Sequence, residues 1–372
     1  MKTDNLPGLY IHIPFCSQRC RYCDFFSVPV SGQVEQWKKA LIREAREHQD
    51  FAPLFGSLYL GGGTPSLLPL DKLEEITAYI YNLYDFSEDA EVTIEINPED
   101  VTADFVSGLI DLGFNRLSLG VQSFRDEELN LLGRRHDSAG AEEALEICLE
   151  SGIENVSIDL IFAVCYQTMK QWKYNLKRAL SFKPHHISCY QLTLKRGSEL
   201  EQLSRNGQIM FPPEELQRDM FITASGTLTE NGYSHYEVSS YCRGEDRKSR
   251  HNRIYWKHLP FLGLGPSAHS FDGRIRWWNS SSMDKYIKRQ EGEKAGLEEL
   301  SFEKLDLERI FLGLRTSEGI GLELAVRYQA DEGGIDMLIG QGLLKIRGDR
   351  LVPTRKGYLF ADHIALSFFT QG

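Results

Sequence analysis

Tyr10-Ile-His-Ile-Pro-Phe-Cys16-Ser-Gln-Arg-Cys20-Arg-Tyr-Cys23-Asp-Phe25-Phe carries three cysteines at C-x3-C-x2-C spacing, directly after the short apolar run 9–13. The run reads as a strand, and the cysteines as the loop that leaves its C-terminal end. Three thiolates within eight residues can wrap one side of an iron–sulfur cube and leave one iron without a protein ligand. Electron carriers with four cysteines have no such gap. As at a catalytic zinc with an open position, the free corner is a place for a second ligand. A structural zinc site is the competing reading. It usually needs a fourth Cys or His close by, and none lies between Cys23 and His48. The spacing therefore predicts a [4Fe-4S] cluster on Cys16, Cys20 and Cys23.

Outward from this stretch, strand and helix patterns alternate to about residue 230. Strands are predicted at 9–13, 57–60, 91–96, 116–121, 155–162 and 186–194. Helices are predicted at 34–48, 70–84, 102–112, 126–132, 138–151, 169–182 and 213–231. Six βα units without a hairpin signal imply a parallel sheet with right-handed crossovers. Six is short of a closed eight-fold barrel, so an α/β fold with an open, partial (β/α)6 TIM-like barrel is expected, with a doubly wound sheet as the competitor. Polar residues fall at the strand ends: Gly61-Gly-Gly-Thr64-Pro-Ser66, Glu95 and Asn97, Gln122 and Ser123, Asp159, Tyr190 and Thr193. In parallel α/β barrels that is the face that holds the site.

After residue 232 the pattern changes. A strand at 233–241, a glycine-rich loop at 261–271 and an extended piece at Trp277-Trp278 are expected, then helices at 283–290, 302–315, 322–329 and 334–341. Two short strands, 343–346 and 351–352, flank the Gly348-Asp349 turn, and Thr354 caps a last helix running to Phe369. This order describes a C-terminal α+β, winged-helix-like domain. The expected division is 1–232 (barrel and cluster), 233–300 (connecting segment) and 301–372 (C-terminal domain).

Composition narrows the function. The chain has 372 residues, 41% hydrophobic and 26% charged, with a formal charge of −11, so no basic stripe is available to neutralise phosphates and a nucleic-acid partner is not expected. No apolar run approaches the ~18 residues of a membrane span, so membrane contact, if any, is expected to be transient only. Residues 1–14 contain no apolar h-region, and the seven cysteines are an odd count, which predicts a cytoplasmic protein with reduced thiols. Cys148, Cys165, Cys189 and Cys242 are scattered and read as packing residues.

The glycine triplet Gly61-Gly-Gly63 suits a turn where backbone approaches a ligand. Glu95 could accept hydrogen bonds from a ribose diol, and Gln122, Arg134 and Asp159 are polar at the barrel mouth. Gly263-x-Gly265-x-x-Ala268 superficially matches a dinucleotide fingerprint, but it opens no helix after an early strand, and that reading is rejected.

The cysteine loop after a strand resembles the cluster loop of the radical S-adenosylmethionine superfamily, in which the cofactor's methionyl amino and carboxylate groups fill the open corner. With Gly61-Gly-Gly-Thr-Pro-Ser66, Glu95-Ile-Asn-Pro98, Arg116-Leu-Ser-Leu-Gly-Val-Gln-Ser-Phe124 and Leu132-Gly-Arg-Arg-His136, the chain resembles the oxygen-independent coproporphyrinogen III oxidase family nearly end to end. The resemblance implies that Tyr10, Tyr22, Gly62, Gly63, Thr64, Glu95, Gln122, Arg134 and Asp159 bind S-adenosylmethionine. It is also the ground for preferring Arg134 to its neighbour Arg135 as the partner of the cofactor carboxylate.

Two features align the chain with the heme-chaperone (HemW-like) branch. The oxidases carry a fourth cysteine where Phe25 stands here, and a longer segment than the fifteen residues that precede Cys16. The branch also carries His-Asn-x-x-Tyr-Trp, present as His251-Asn252-Arg-Ile-Tyr255-Trp256. The resemblance implies that His251 ligates heme iron, with Asn252 and Tyr255 beside it, and that heme is delivered to respiratory acceptor proteins. Radical decarboxylation of coproporphyrinogen III and radical-driven heme modification are the alternatives. Two turns depart from the family: Ala163-Val-Cys-Tyr-Gln167-Thr168 stands for Gly-Leu-Pro-Gly-Gln-Thr, and Lys195-Arg196 for Glu-Pro. Both predict a changed pocket beside the cofactor.

Overall fold

Alternation of apolar and polar side chains forms the sheet in the computed structural model, which describes residues 5–30, 32–329 and 333–368. Its parallel core is β1 (Gly8–Ile13), β2 (Phe55–Gly62), β3 (Phe86–Ile96), β4 (Arg116–Gln122), β5 (Asn155–Phe162) and β6 (His186–Gln191), adjacent in that order. This is the expected partial barrel. In β4, Leu117, Leu119 and Val121 are fully buried in one cluster with Val106, Leu109 and Leu145 of the covering helices. Burying each such side chain contributes about 1.5–3 kcal/mol. The alternate residues face the interior: Ser118 Oγ is 3.4 Å from Asp159, and the Gly120 carbonyl accepts from Arg134 at 3.1 Å. Thr93, Ser157, His186 and Ser188 are buried too, so the interior is polar where closed barrels stack aliphatic layers.

Segment 233–300 adds strands to both edges of this sheet. Beyond β6 lie Ser240–Cys242 and then Ser234–Glu237, each antiparallel to its predecessor. Beyond β1 lie Phe261–Leu264, parallel to it, then His269–Phe271, Ile275–Trp278 and Gly296–Glu299, each antiparallel to its predecessor. The single strand expected at 233–241 is thus a hairpin. The glycine-rich loop expected at 261–271 is two strands and a turn. Gly263 is needed there because a Cβ would stand 2.1 Å from the His269 carbonyl oxygen. Gly265 has φ +104 and packs on the backbone of His12, which accounts for the glycines without any dinucleotide. The Gly265 N–H, the Asn279 amide and the Tyr286 hydroxyl all donate to buried Glu44 at 2.6–2.9 Å, tying this edge to the helix Val34–Glu47.

β6 stops at Gln191, and the unforeseen helix Glu199–Arg205 follows. The C-terminal region has its own core, including Ile310, Leu314, Leu338, Leu351 and Ile364. Its three-stranded sheet pairs Ile320–Gly321 and Leu344–Arg347 with Arg350–Pro353, in the winged-helix-like order expected. The last helix divides at Phe360 into Arg355–Leu359 and Ala361–Leu366, and its expected end at Phe369 lies outside the described residues. Ser317 donates to the Tyr236 carbonyl, and Val238 to that of Arg315, both at 2.8 Å, docking this region on the hairpin. Among the described residues no helix is long and apolar enough to cross a membrane.

Candidate cofactor site

The cluster loop is pinned to the glycine turn. The Gly63 N–H donates to the Ile13 carbonyl at 2.8 Å, and the Thr64 N–H to that of Phe15 at 2.7 Å. A Cβ on Gly63 would lie 2.6 Å from the Phe15 oxygen, so only glycine permits this approach. The loop closes on itself through Val28, whose N–H reaches the Pro14 carbonyl at 2.8 Å. Cys16 Sγ lies 3.3 Å from the Thr64 hydroxyl, and Arg134 Nη1 donates to Cys20 Sγ at 3.3 Å. Cys16, Cys20 and Cys23, all partly exposed, line one cavity of about 350 Å³ at the C-terminal ends of the strands. Among the described residues no three His, Cys, Asp or Glu side chains converge as a single metal ion would require. A cube with one thiolate per iron asks for three such thiols on one cavity wall, and Cys16, Cys20 and Cys23 supply them.

The walls of that cavity bring together Tyr22, Gly62, Gly63, Thr64, Glu95, Gln122, Arg134 and Asp159. Glu95 is already committed: Oε1 accepts from the Tyr59 hydroxyl at 2.7 Å and Oε2 from the Gly62 N–H at 3.0 Å. It therefore shapes the glycine turn, while each oxygen keeps a lone pair for a ligand. Burial raises the pKa of Glu95 and of Asp159 above the usual carboxylate range. A cation placed in the cavity would draw both down, so the donor set fits a sulfonium ligand. Gln122 adopts φ +65 at the end of β4, turning its backbone out of the sheet. Burial raises the Tyr22 phenol, against the opposing pull of the Arg134 guanidinium.

Tyr10 is not brought to this cavity. Its hydroxyl is 3.0 Å from His12 Nδ1, and its ring faces a neighbouring cleft. Asn97, a strand-end residue with no role assigned from the sequence, proves central: Oδ1 accepts from Arg134 at 2.6 Å and Nδ2 donates to Thr64 Oγ1 at 3.3 Å. Its position at the end of the third strand was the available signal.

The motif expected to hold heme does not line the cofactor cavity; its histidine lies against Gly8 and Ser57, near the starts of β1 and β2. His251, Asn252 and Tyr255 are on the short helix Arg250–Trp256, capped by Ser249. His251 is 1% exposed. Its Nδ1 is 2.8 Å from the Ser57 hydroxyl, its Nε2 is 2.8 Å from the Tyr255 hydroxyl, and its ring stacks on Tyr59. Burial lowers its pKa to about 3. Neither nitrogen is presented to solvent in this arrangement.

Of the two departing turns, residues 163–168 do not line the cofactor cavity, whereas Lys195 does, paired with Asp24 of the cluster loop at 3.2 Å. Ala163 and Tyr166 take φ +59 and +62, left-handed conformations that suit glycine. The turn is held from inside by Gln167, 2% exposed, whose Oε1 accepts from the Ala163 N–H at 2.8 Å and whose Nε2 donates to buried Glu128 at 2.9 Å. Gln167→Ala leaves that N–H unsatisfied and takes one donor from a buried carboxylate. It should lower unfolding free energy by about 2–4 kcal/mol, measured as a fall in denaturant midpoint; a change within experimental scatter would show that the turn is self-supporting.

A cluster loop on β1, a glycine turn on β2 and a polar cavity at the strand ends define a radical S-adenosylmethionine fold. Residues 10–179 match the Radical SAM superfamily and residues 303–360 the HemN C-terminal domain. The solved coproporphyrinogen III oxidase (HemN) of Escherichia coli superposes with a TM-score of 0.85 over 99% of this chain and 91% of that one, at 24% identity, which is a likeness of fold. The heme chaperone HemW of Synechocystis is 37% identical over 84% of this chain and 78% of its own. That of Lactococcus lactis is 33% identical over 96% of both. The chain belongs to the heme chaperone HemW family, a branch of the coproporphyrinogen-oxidase-like radical SAM proteins.

Proposed function

We propose that the chain is a cytoplasmic heme chaperone that holds a [4Fe-4S] cluster on Cys16, Cys20 and Cys23, binds S-adenosylmethionine in the adjoining cavity, and carries heme to respiratory acceptor proteins. The observation that supports it best is the likeness to chaperones over 96% of the chain, together with Phe25, 62% exposed on the lip of the cluster cavity. A phenyl ring there can neither ligate iron nor move a proton. When bound, a reduced cluster and S-adenosylmethionine can supply a 5′-deoxyadenosyl radical. The chain's own part is to hold and orient: Arg134 steadies the Cys20 thiolate, Asn97 links Arg134 to Thr64, and Asp159 and Glu95 offset a cationic ligand.

The test is a spectral titration of anaerobically reconstituted protein with hemin, beside an assay of carbon dioxide from coproporphyrinogen III with a reductant and S-adenosylmethionine. About one heme per chain and no carbon dioxide above the protein-free control are expected. Catalytic carbon dioxide release would make the chain an oxidase.

A further inference from the structure

A second cleft, of about 370 Å³, opens beside the cluster loop where β1 meets the strands Phe261–Leu264 and His269–Phe271. Its walls are mostly rings: His12, Phe25, Phe26, Tyr255, Phe261 and His269. Phe25 and Asp24 also border the cofactor cavity, so the two spaces share the cluster loop as a wall. Asp24 pairs with Lys195.

Three histidines are near enough to matter, and their nitrogens differ. His251 lies behind the cleft with both nitrogens engaged. His12 lines it, but Nδ1 is 3.0 Å from the Tyr10 hydroxyl and Nε2 is 2.8 Å from the Phe26 carbonyl. His269 lines it too, is exposed, and stacks on Trp278 with ring centroids 5.7 Å apart. No hydrogen-bond partner for the His269 ring is found among the described residues. Its strand position, paired with Trp278 across the ladder, fixes where the ring stands. Apolar ring faces with one available imidazole nitrogen are what a flat iron-containing macrocycle requires.

Resting on the heme-binding reading above, we propose that this cleft seats the iron porphyrin, with His269 as axial ligand and Tyr255 as a wall. His251 is then a positioning residue: its Nε2 holds the Tyr255 hydroxyl, and the Tyr255 ring stands perpendicular to Phe261 at 4.7 Å. The His-Asn-x-x-Tyr-Trp segment acts on heme through its tyrosine, from behind the cleft.

The experiment is hemin titration of the reconstituted full chain and of His269→Ala, His269→Met and His251→Ala, with absorption and resonance Raman spectra and cluster content recorded for each. In His269→Ala the histidine-ligated spectrum is lost, heme binds at least about tenfold more weakly, and added imidazole restores the spectrum. His269→Met gives a thioether-ligated spectrum. His251→Ala keeps the histidine-ligated spectrum with weaker affinity. All variants retain the cluster. An unchanged spectrum in His269→Ala, or its loss in His251→Ala instead, overturns the assignment to His269 while leaving the chaperone reading intact. Absence of heme uptake by the unmodified chain overturns both.

Discussion

The Cys20→Ala chain, reconstituted anaerobically with iron and sulfide, is expected to come out without the broad visible absorption of a cluster and with only background sulfide. The unmodified chain should carry about four iron and four sulfide. Cys20 faces the cavity shared with Cys16 and Cys23, and its sulfur accepts from the Arg134 guanidinium at 3.3 Å. With that thiol gone, two protein ligands remain for a cube that already has an open corner. The buried guanidinium then loses an anionic neighbour. The fold itself should persist, because all three cysteines are partly exposed and lie outside the main core cluster. A melting curve close to that of the unmodified chain, together with an empty cluster site, separates loss of the metal from loss of the structure. One equivalent of zinc without sulfide in the unmodified chain would sink the cluster reading, and so would a Cys20→Ala protein that keeps its cluster.

The parallel strands could be read from the sequence because each carries its own evidence. Leu117, Leu119 and Val121 alternate with Arg116, Ser118, Gly120 and Gln122, and that period needs no knowledge of the neighbours. The cysteine loop and the glycine turn were legible for the same local reason. What stayed hidden depends on contacts distant in the chain. The partner of His251 is Ser57, 194 residues earlier, and nothing near His251 announces that its ring will be buried. Gly263 reads as a loop residue, although its use is to let the His269 backbone approach within a strand pair. The hairpin at Ser234–Glu237 and Ser240–Cys242 turns through Val238 and Ser239, which lack the usual glycine or asparagine signal. Tyr10 was assigned to the cofactor through a resemblance, and the strand's own geometry turns its ring to the neighbouring cleft instead.

Arg134 joins the cluster to the cofactor cavity, and Arg134→Gln should weaken S-adenosylmethionine binding strongly. Its Nη1 reaches Cys20, and its Nη2 reaches both Asn97 at 2.6 Å and the Gly120 carbonyl at 3.1 Å. A Cβ on Gly120 would lie 3.4 Å from Nη2, an ordinary contact, and 3.0 Å from the Gln122 amide, so the arginine packs closely on this stretch of strand. The Nε–H is buried without a hydrogen-bond partner among the described residues, which suits a carboxylate arriving in the cavity. A hydrogen bond to a charged group contributes about 1.5–3 kcal/mol, so Kd should rise about tenfold to a hundredfold. Arg135 supplies the contrast. It is exposed, points to Ser17 and lies 3.7 Å from Glu99, a pairing that contributes at most about 1 kcal/mol. Arg135→Gln should leave Kd within a few-fold of the unmodified chain. Calorimetry on reconstituted proteins matched for cluster content makes the comparison direct. A large loss in Arg135→Gln with little change in Arg134→Gln would move the cofactor carboxylate to the outer arginine. Equal and small effects would mean that the open iron and the backbone of the glycine turn, rather than either guanidinium, hold the methionyl end.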